Sequence, residues 1–393
     1  MRLRRLIEPV LSLRQVRWGA LDWHVLLLAG LLFVLGLGFV RAMGESDLLY
    51  ERNDVDFGKH VLKALVALPF LIVGLSLRAR WLARNAWLVY GGTLLLLVLV
   101  PLIGDSRNGA RRWIALPGGF DLQPSELAKI GVILMLARVL YRNRLEKPRD
   151  WLPPIAVALL PMALVVKQPD LGTALSLVPV TLGMLYIAGA RAGVLLRFLG
   201  AAAVLAFLVW HFQFGVHDYQ LQRIRTWLES YSASDVIAAQ SGPAFHSYHA
   251  RVAIGNGGWV GQGMGEGVAN TAGHLPERDC DSIFAVIGEE IGFVGILLAL
   301  GLYTLLVVSI LGSASGLRDR FSRLFVAGVG LYFGAHLLIH TCVNLGLVPL
   351  TGIPLPLFST GGSSMMSTML ALGLALGLAA NREPSLDQDS FRS

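Results

Sequence analysis

The sequence predicts an all-α, polytopic integral membrane protein with about ten spanning helices. Of its 393 residues, 54% are hydrophobic and only 15% are charged, whereas soluble domains carry about a quarter. The mean hydropathy is +0.61. Apolar runs of about 17 to 25 residues, long enough to cross a bilayer core, recur along the chain. This composition excludes a soluble enzyme, a disordered chain and a fibrous protein.

The apolar runs fall at about 21–42, 60–77, 82–103, 124–141, 151–167, 172–189, 193–213, 283–311, 325–345 and 363–380. The first follows the basic start Met1-Arg2-Leu3-Arg4-Arg5. It is too long for a signal peptide and lacks a cleavage site, so it reads as an uncleaved helix. The fifth and sixth are separated only by Gln168-Pro169-Asp170. The eighth is long and is expected to tilt or to extend past the bilayer. One transmembrane domain is expected over 1–393. It has a cytoplasmic segment at 1–20, a large extracytoplasmic loop at 214–282 between helices 7 and 8, and a cytoplasmic tail at 381–393.

Charge supplies the orientation. The formal net charge is +7, and of the 33 basic residues only five are lysine. In a soluble protein such a balance would suggest nucleic acid. In a membrane protein it is mainly topology, and no nucleic-acid partner is expected. Arg2, Arg4, Arg5, Arg14 and Arg17 start the chain. Alternate connections carry Arg78, Arg80 and Arg84, then Arg142, Arg144, Lys147 and Arg149, then Arg191, then Arg318, Arg320 and Arg323. The positive-inside rule places these connections and both termini in the cytoplasm. Arg107, Arg111, Arg112, Arg223, Arg225, Arg251 and Arg278 then lie outside, against that bias. They predict either loops that tolerate charge or an outward-facing anion-binding cavity. Cys280 and Cys342 support no disulfide framework or metal cluster. Two free thiols are expected, with a single bridge left open.

Four motifs carry the polar chemistry. The first is Gly109-Ala110-Arg111-Arg112-Trp113-Ile114 followed by Gln123-Pro124-Ser125-Glu126-Leu127-Ala128-Lys129. Pro124 suits a first helical turn, and Glu126 and Lys129 share a face. A charge at Lys129, inside an apolar span, needs a partner or a wet cavity. It is either a structural ion pair with Glu126 or, with Arg112, part of a surface for an anionic substrate. In the second, Gln168-Pro169-Asp170-Leu171-Gly172-Thr173, Asp170 either caps the next helix or shapes the cavity.

The third motif joins the glycine run Gly261 to Gly267 to Leu275-Pro276-Glu277-Arg278-Asp279-Cys280-Asp281-Ser282 and Gly288-Glu289-Glu290. The glycines let backbone approach closely, and no strand precedes them, so they are not a dinucleotide fingerprint. Asp281 stands where a polar loop becomes an apolar helix, fit for an N-cap or for a general base. The fourth runs from Gly352 to Ser364 and includes Ser359, Gly361, Gly362 and Ser363. It is too rich in Pro and Gly for regular helix, and at membrane depth it requires cover by protein or a water-filled cavity. His340 and Asn344 lie one turn apart just before it, as helix–helix hydrogen-bonding residues would.

Together, in this order and over nearly the whole chain, these motifs resemble the SEDS family of cell-wall proteins, whose members include RodA, FtsW and SpoVE. Leu275-Pro276-Glu277-Arg278 and Gly352-Ile353-Pro354-Leu355-Pro356 are more RodA-like. Cys280-Asp281-Ser282 stands where the family usually has Thr-Asp-Phe, and Thr360 where it usually has Tyr, which marks a divergent member. The resemblance implies a peptidoglycan glycosyltransferase of the bacterial inner membrane that polymerises lipid II, with its site facing the periplasm. Asp281 matches the family's essential acid and is expected to be the general base. Arg111, Arg112, Glu126, Lys129, Asp170, Arg223, Glu277, Arg278, Ser359 and Ser363 are expected to contribute to binding the polyprenyl-pyrophosphate substrates. A divalent cation, Mg or Mn, is compatible with this chemistry, but its ligands are not evident. A class B penicillin-binding protein is the expected partner. The rival readings are a lipid II flippase, a non-catalytic scaffold for a transpeptidase, and another polyprenyl-linked sugar transferase such as an O-antigen ligase.

Overall fold

The computed structural model describes residues 18–50, 54–107, 110–116, 120–211, 218–229, 245–273, 275 and 277–380. The basic residues Arg2 to Arg17, the tail 381–393 and residues 230–244 of the long loop lie outside the described residues.

Each apolar run forms a helix. These are α1 (Trp23–Leu49), α2 (Phe57–Ser76), α3 (Ala79–Ile103), α4 (Pro124–Arg142), α5 (Leu152–Lys167), α6 (Leu171–Ala188) and α7 (Ala192–His211). After the long loop, the last three expected spans correspond to α11 (Ile283–Ser315), α12 (Arg320–Asn344) and α13 (Gly362–Ala380). Among the described residues, eight helices are long and apolar enough to cross a membrane. Two expected spans are not among them: α4, which carries Glu126, Lys129, Arg138 and Arg142, and α7, whose apolar stretch is Ala192–Val204.

Three further helices occupy the long loop: α8 (Asp218–Glu229), α9 (Phe245–Asn256) and the single turn α10 (Val268–Thr271). The helical class holds, with one addition. The connection at about 104–123 holds a three-stranded antiparallel sheet of β1 (Asp105–Arg107), β2 (Ala110–Leu116) and β3 (Phe120–Leu122).

Hydrogen bonds between connections sort the loops into two ends, as alternating helices require. At one end Arg320 Nη2 donates to Asn143 O (3.0 Å) and Ala188 O (3.1 Å), which joins the α4–α5, α6–α7 and α11–α12 connections. At the other end Gln123 N donates to Ser363 Oγ (2.9 Å), and Thr360 N to Asp279 O (3.0 Å). All four motifs lie at this second end.

The most extensive packing is between α2 and α13, and glycine makes it close. A Cβ on Gly373 would stand 2.2 Å from Leu71 O, and one on Gly377 would stand 2.8 Å from Leu75 O. These two form a Gly-x-x-x-Gly face on α13, the small-residue device by which membrane helices approach. Gly373→Leu should lower stability by about 1–3 kcal/mol or more. Thermal unfolding against Gly91→Leu, where nothing lies within 4 Å of the new Cβ, checks this.

The eighth expected span is broken rather than merely tilted. Gly292 interrupts α11 at φ 67, ψ −167, values that a side chain would not tolerate. The remaining stretch, 293–315, is about 34 Å long and suffices for a bilayer. The break frees backbone groups, and the glycine run satisfies them. Gln262 N donates to Glu289 O and Gly263 N to Glu290 O, both at 3.0 Å. Phe293 N and Val294 N donate to Gly258 O (2.9 Å) and Trp259 O (3.1 Å). A Cβ on Gly261 would stand 2.1 Å from Glu290 O. The close approach that the glycines permit is therefore to the broken helix, which meets the rule that irregular backbone at membrane depth be covered by protein.

Candidate active site

Asp281 sits in a tight turn closed by the carbonyl of Glu277, which accepts from the amides of Cys280 (2.9 Å), Asp281 (2.9 Å) and Ser282 (3.2 Å). The N-cap position of α11 belongs to Ser282, not Asp281, and no side chain caps there. The Asp281 carboxylate is thus free of the structural role that its place in the sequence offered.

Neighbouring segments hold the turn. Asn344 Nδ2 donates to Asp281 O (3.0 Å), and Ser359 Oγ donates to Cys280 O (2.8 Å) while accepting from Leu355 N (2.8 Å). The Thr360 hydroxyl donates to the Asp279 carboxylate. Ser282 Oγ lies 3.2 Å from His246 Nε2 of α9. Gly352, at φ 69, packs against the carboxylate: a Cβ there would stand 3.4 Å from Asp281 Oδ2. Ser359 therefore acts here on backbone rather than in the open.

The electrostatics suit a base. The Asp281 carboxyl is pushed up from 3.8 to about 7. Burial is the main cause and the Glu277 carboxylate the next, and Asp279 also raises it; a hydrogen bond from the Cys280 thiol and the charge of Arg223 pull it back. The Cys280 thiol is itself held well above the ordinary range by burial and by the surrounding carboxylates, so it stays protonated. Glu277 is raised as well, by desolvation and by Asp279. Arg223 reaches this region from α8, with Nη1 donating to Leu350 O (2.9 Å), and Trp227 Nε1 donates to Gly346 O (2.6 Å) one turn on.

A second cluster lies deeper. Lys129 and Glu126 are buried and paired at 2.7 Å. Lys129 Nζ also lies 3.0 Å from His336 Nε2 and 5.3 Å from the centre of the Tyr332 ring. Because the ammonium can only donate, His336 Nε2 accepts, and its Nδ1–H donates to Tyr332 O (2.9 Å). Ser367 Oγ donates to the other Glu126 oxygen (3.2 Å). The structure thus closes Lys129 into an ion-pair network, with no surface left for a substrate. Lys129→Met would strand the Glu126 carboxylate and should cost about 3–5 kcal/mol in thermal unfolding. Pairing it with Glu126→Gln should recover most of the loss.

Asp170 caps α6 through Thr173 N (3.2 Å) and collects hydroxyl and amide donors from Thr173 (2.9 Å), Gln123 (3.1 Å) and Ser125 (3.3 Å). It is buried and serves the junction of α4 and α6. Ser363 accepts from Gln123 N and donates to Asp121 O, tying α13 to β3.

Arg111 and Arg112 were both expected at a substrate. Alternation along β2 sends neighbouring side chains to opposite faces. Arg111 donates to Pro101 O (3.2 Å), and Arg112 to Gln168 O (3.1 Å) and to Pro169 O. Only Arg112 faces the α5–α6 turn.

Arg278 belongs to a third cluster. It is buried, paired with Asp47 of α1, and donates to Asn270 O (2.7 Å) and Asn270 Oδ1 (2.6 Å). Asn270 Nδ2 donates to Glu290 (2.9 Å), and Glu289 accepts from the amides of Ala269 (2.8 Å) and Asn270 (3.2 Å). Sequence reasoning missed Asp47, Asn270 and His336. For Asp47 and His336 the available signal was an ionisable residue inside an apolar helix; Asn270, in the long loop, carried none.

Both cysteines are free. Among the described residues no group of three or more His, Cys, Asp or Glu side chains is placed to hold a metal ion.

This is a polytopic membrane protein whose four polar motifs lie at one end of the helical bundle. It belongs to the FtsW/RodA/SpoVE family of cell cycle proteins, whose model matches residues 21–383. It is 33% identical over 371 residues to a probable peptidoglycan glycosyltransferase FtsW of Trichlorobacter lovleyi, covering 90% of this chain and 92% of that one. It is 34% identical over 359 residues to the peptidoglycan glycosyltransferase MrdB of Escherichia coli, covering 89% and 90%. Among solved structures it is similar to a chain of a peptidoglycan synthase complex that coordinates polymerization and crosslinking, with TM-score 0.77, 30% identity, and 95% and 100% of the two chains covered. It is also similar to the rod shape determining protein RodA of Thermus thermophilus, with TM-score 0.68, 29% identity, and 93% and 99% covered.

Proposed function

We propose that this chain is a peptidoglycan glycosyltransferase that polymerises lipid II, with Asp281 as its general base. The observation that carries the reading is a half-buried carboxyl, raised to about 7, beside Arg223 in a chain of this family. The acceptor 4-hydroxyl of lipid II attacks the anomeric carbon of the growing strand, and Asp281 takes its proton. The bond to the polyprenyl pyrophosphate breaks, and charge develops on the departing phosphate oxygens. Arg223, and Arg112 with the donors its backbone contacts leave over, are the cations at hand to stabilise that charge. Glu277 keeps the base weakly acidic through its own negative charge.

This reading places the Asp281 end of the bundle outside the inner membrane and the Arg320 end in the cytoplasm, as the distribution of arginines favours. It also gives the chain a class B penicillin-binding protein as partner, in keeping with the synthase complex it resembles. The test is purified protein with lipid II, with products resolved as glycan strands by length. Strands support the reading. Lipid II moved across a vesicle without strands would make it a transporter, and partner binding with neither would make it a scaffold.

A further inference from the structure

We propose that the cavity between the α4–α5 connection and the start of α7 is a binding site for the phosphate headgroup of an anionic phospholipid. The cavity, about 710 Å³, lies at the Arg320 end of the molecule, away from Asp281. Arg144 and Arg191 line it from two different connections, together with one carboxylate, Glu146. Among the described residues neither guanidinium makes a hydrogen bond or ion pair. Elsewhere in this protein Arg112, Arg278 and Arg320 are committed to carbonyls or carboxylates. Two uncommitted guanidinium groups facing one cavity match a phosphodiester, whose oxygens accept forked donors.

The cavity is also built to take a lipid rather than a free ion. Trp151 and Phe198 form its apolar wall, with ring centroids 5.4 Å apart. Immediately beyond it Leu152, Leu196 and Leu199 are exposed at 66%, 67% and 48%, the mark of side chains that meet acyl chains. Tryptophan at such a boundary sits at headgroup level, and basic pockets between helices on the cytoplasmic side receive acidic headgroups. The floor is braced, since Arg320 ties Asn143 O and Ala188 O together. The α6 helix ends at Gly189 with φ 115, which turns the chain toward Arg191. A phosphate on Arg144 and Arg191 would therefore hold α7 to the α4–α5 connection. α7 has few contacts with the rest of the bundle, and bound lipid would supply what packing does not.

The proposal is independent of the glycosyltransferase reading, because its readout uses no lipid II. Purified full-length protein is equilibrated with vesicles of equal phosphatidylglycerol and phosphatidylcholine, extracted, and its retained lipid is measured by native mass spectrometry. The expected result is a preference for phosphatidylglycerol of about ten- to thirty-fold, from two arginines near the surface. Arg144→Ala/Arg191→Ala should remove it. Arg144→Lys/Arg191→Lys, which retains charge without the fork, should keep part of it and guards against a simple folding defect. Arg149→Ala, on the same connection but outside the cavity lining, should keep all of it. An equal preference in the alanine variant, no preference in the unaltered protein, or full displacement by millimolar inorganic phosphate would overturn the proposal.

Discussion

Asp281→Asn should cut strand formation from lipid II steeply while leaving insertion and thermal stability unchanged. The stability half of this expectation comes from the turn itself. The backbone of Asp281 makes the structural contacts, to Glu277 O and from Asn344 Nδ2, and the helix cap lies at Ser282. Asparagine keeps those contacts and the volume, and loses only the proton acceptor. General-base catalysis contributes about 10²–10⁴-fold, so a loss of that size is expected. The unaltered enzyme should also show a rate that climbs with pH through about 7, because the base works only when deprotonated and its carboxyl is raised to that value. Glu277→Gln removes one of the charges that raise it, and the rising limb should move to lower pH. Full polymerisation by Asp281→Asn would remove the catalytic assignment, and a flat pH profile would remove the role of the raised carboxyl.

The second large effect concerns Arg278, expected from the sequence to bind substrate. The structure pairs it with Asp47 in a buried site and turns it onto Asn270, which in turn holds Glu290. Arg278→Leu should therefore lower stability by about 3–5 kcal/mol, since it leaves the Asp47 carboxylate buried without its cation. Asp47→Leu together with Arg278→Leu should recover part of this, because it removes the unpaired charge but takes from Val55 N the Asp47 Oδ2 to which it donates (2.8 Å). The readout is thermal unfolding of both variants in the same detergent. A substrate-binding Arg278 predicts the opposite pattern: a single variant as stable as the parent, with KM for lipid II raised. An unchanged melting temperature would refute the structural role.

The class of the protein, the positions of its helices and the four motifs that matter were legible in the sequence. Hydrophobic runs and basic connections are local properties, and a bilayer imposes them strongly. The Glu126–Lys129 pair was legible as well, because three residues on a helix are neighbours whatever surrounds them. The glycine run was recognised as a place of close approach, but what it approaches, the break at Gly292, was not. Nothing within 261–267 encodes a partner some thirty residues on. The sheet at 105–122 went unseen because β1 and β3 are three residues each, too short for alternation to register. Arg111 and Arg112 looked like one pair of cations until strand geometry separated them.

The sequence alone determined that this is a membrane-spanning member of its family with a carboxylate at the head of a polar loop. Only the tertiary structure decided which charges are spent on one another and which remain. Arg278 with Asp47, Lys129 with His336 and Arg112 with the α5–α6 turn are joined across 231, 207 and 56 residues respectively. Pairing at that range depends on how helices pack, and no local periodicity records it.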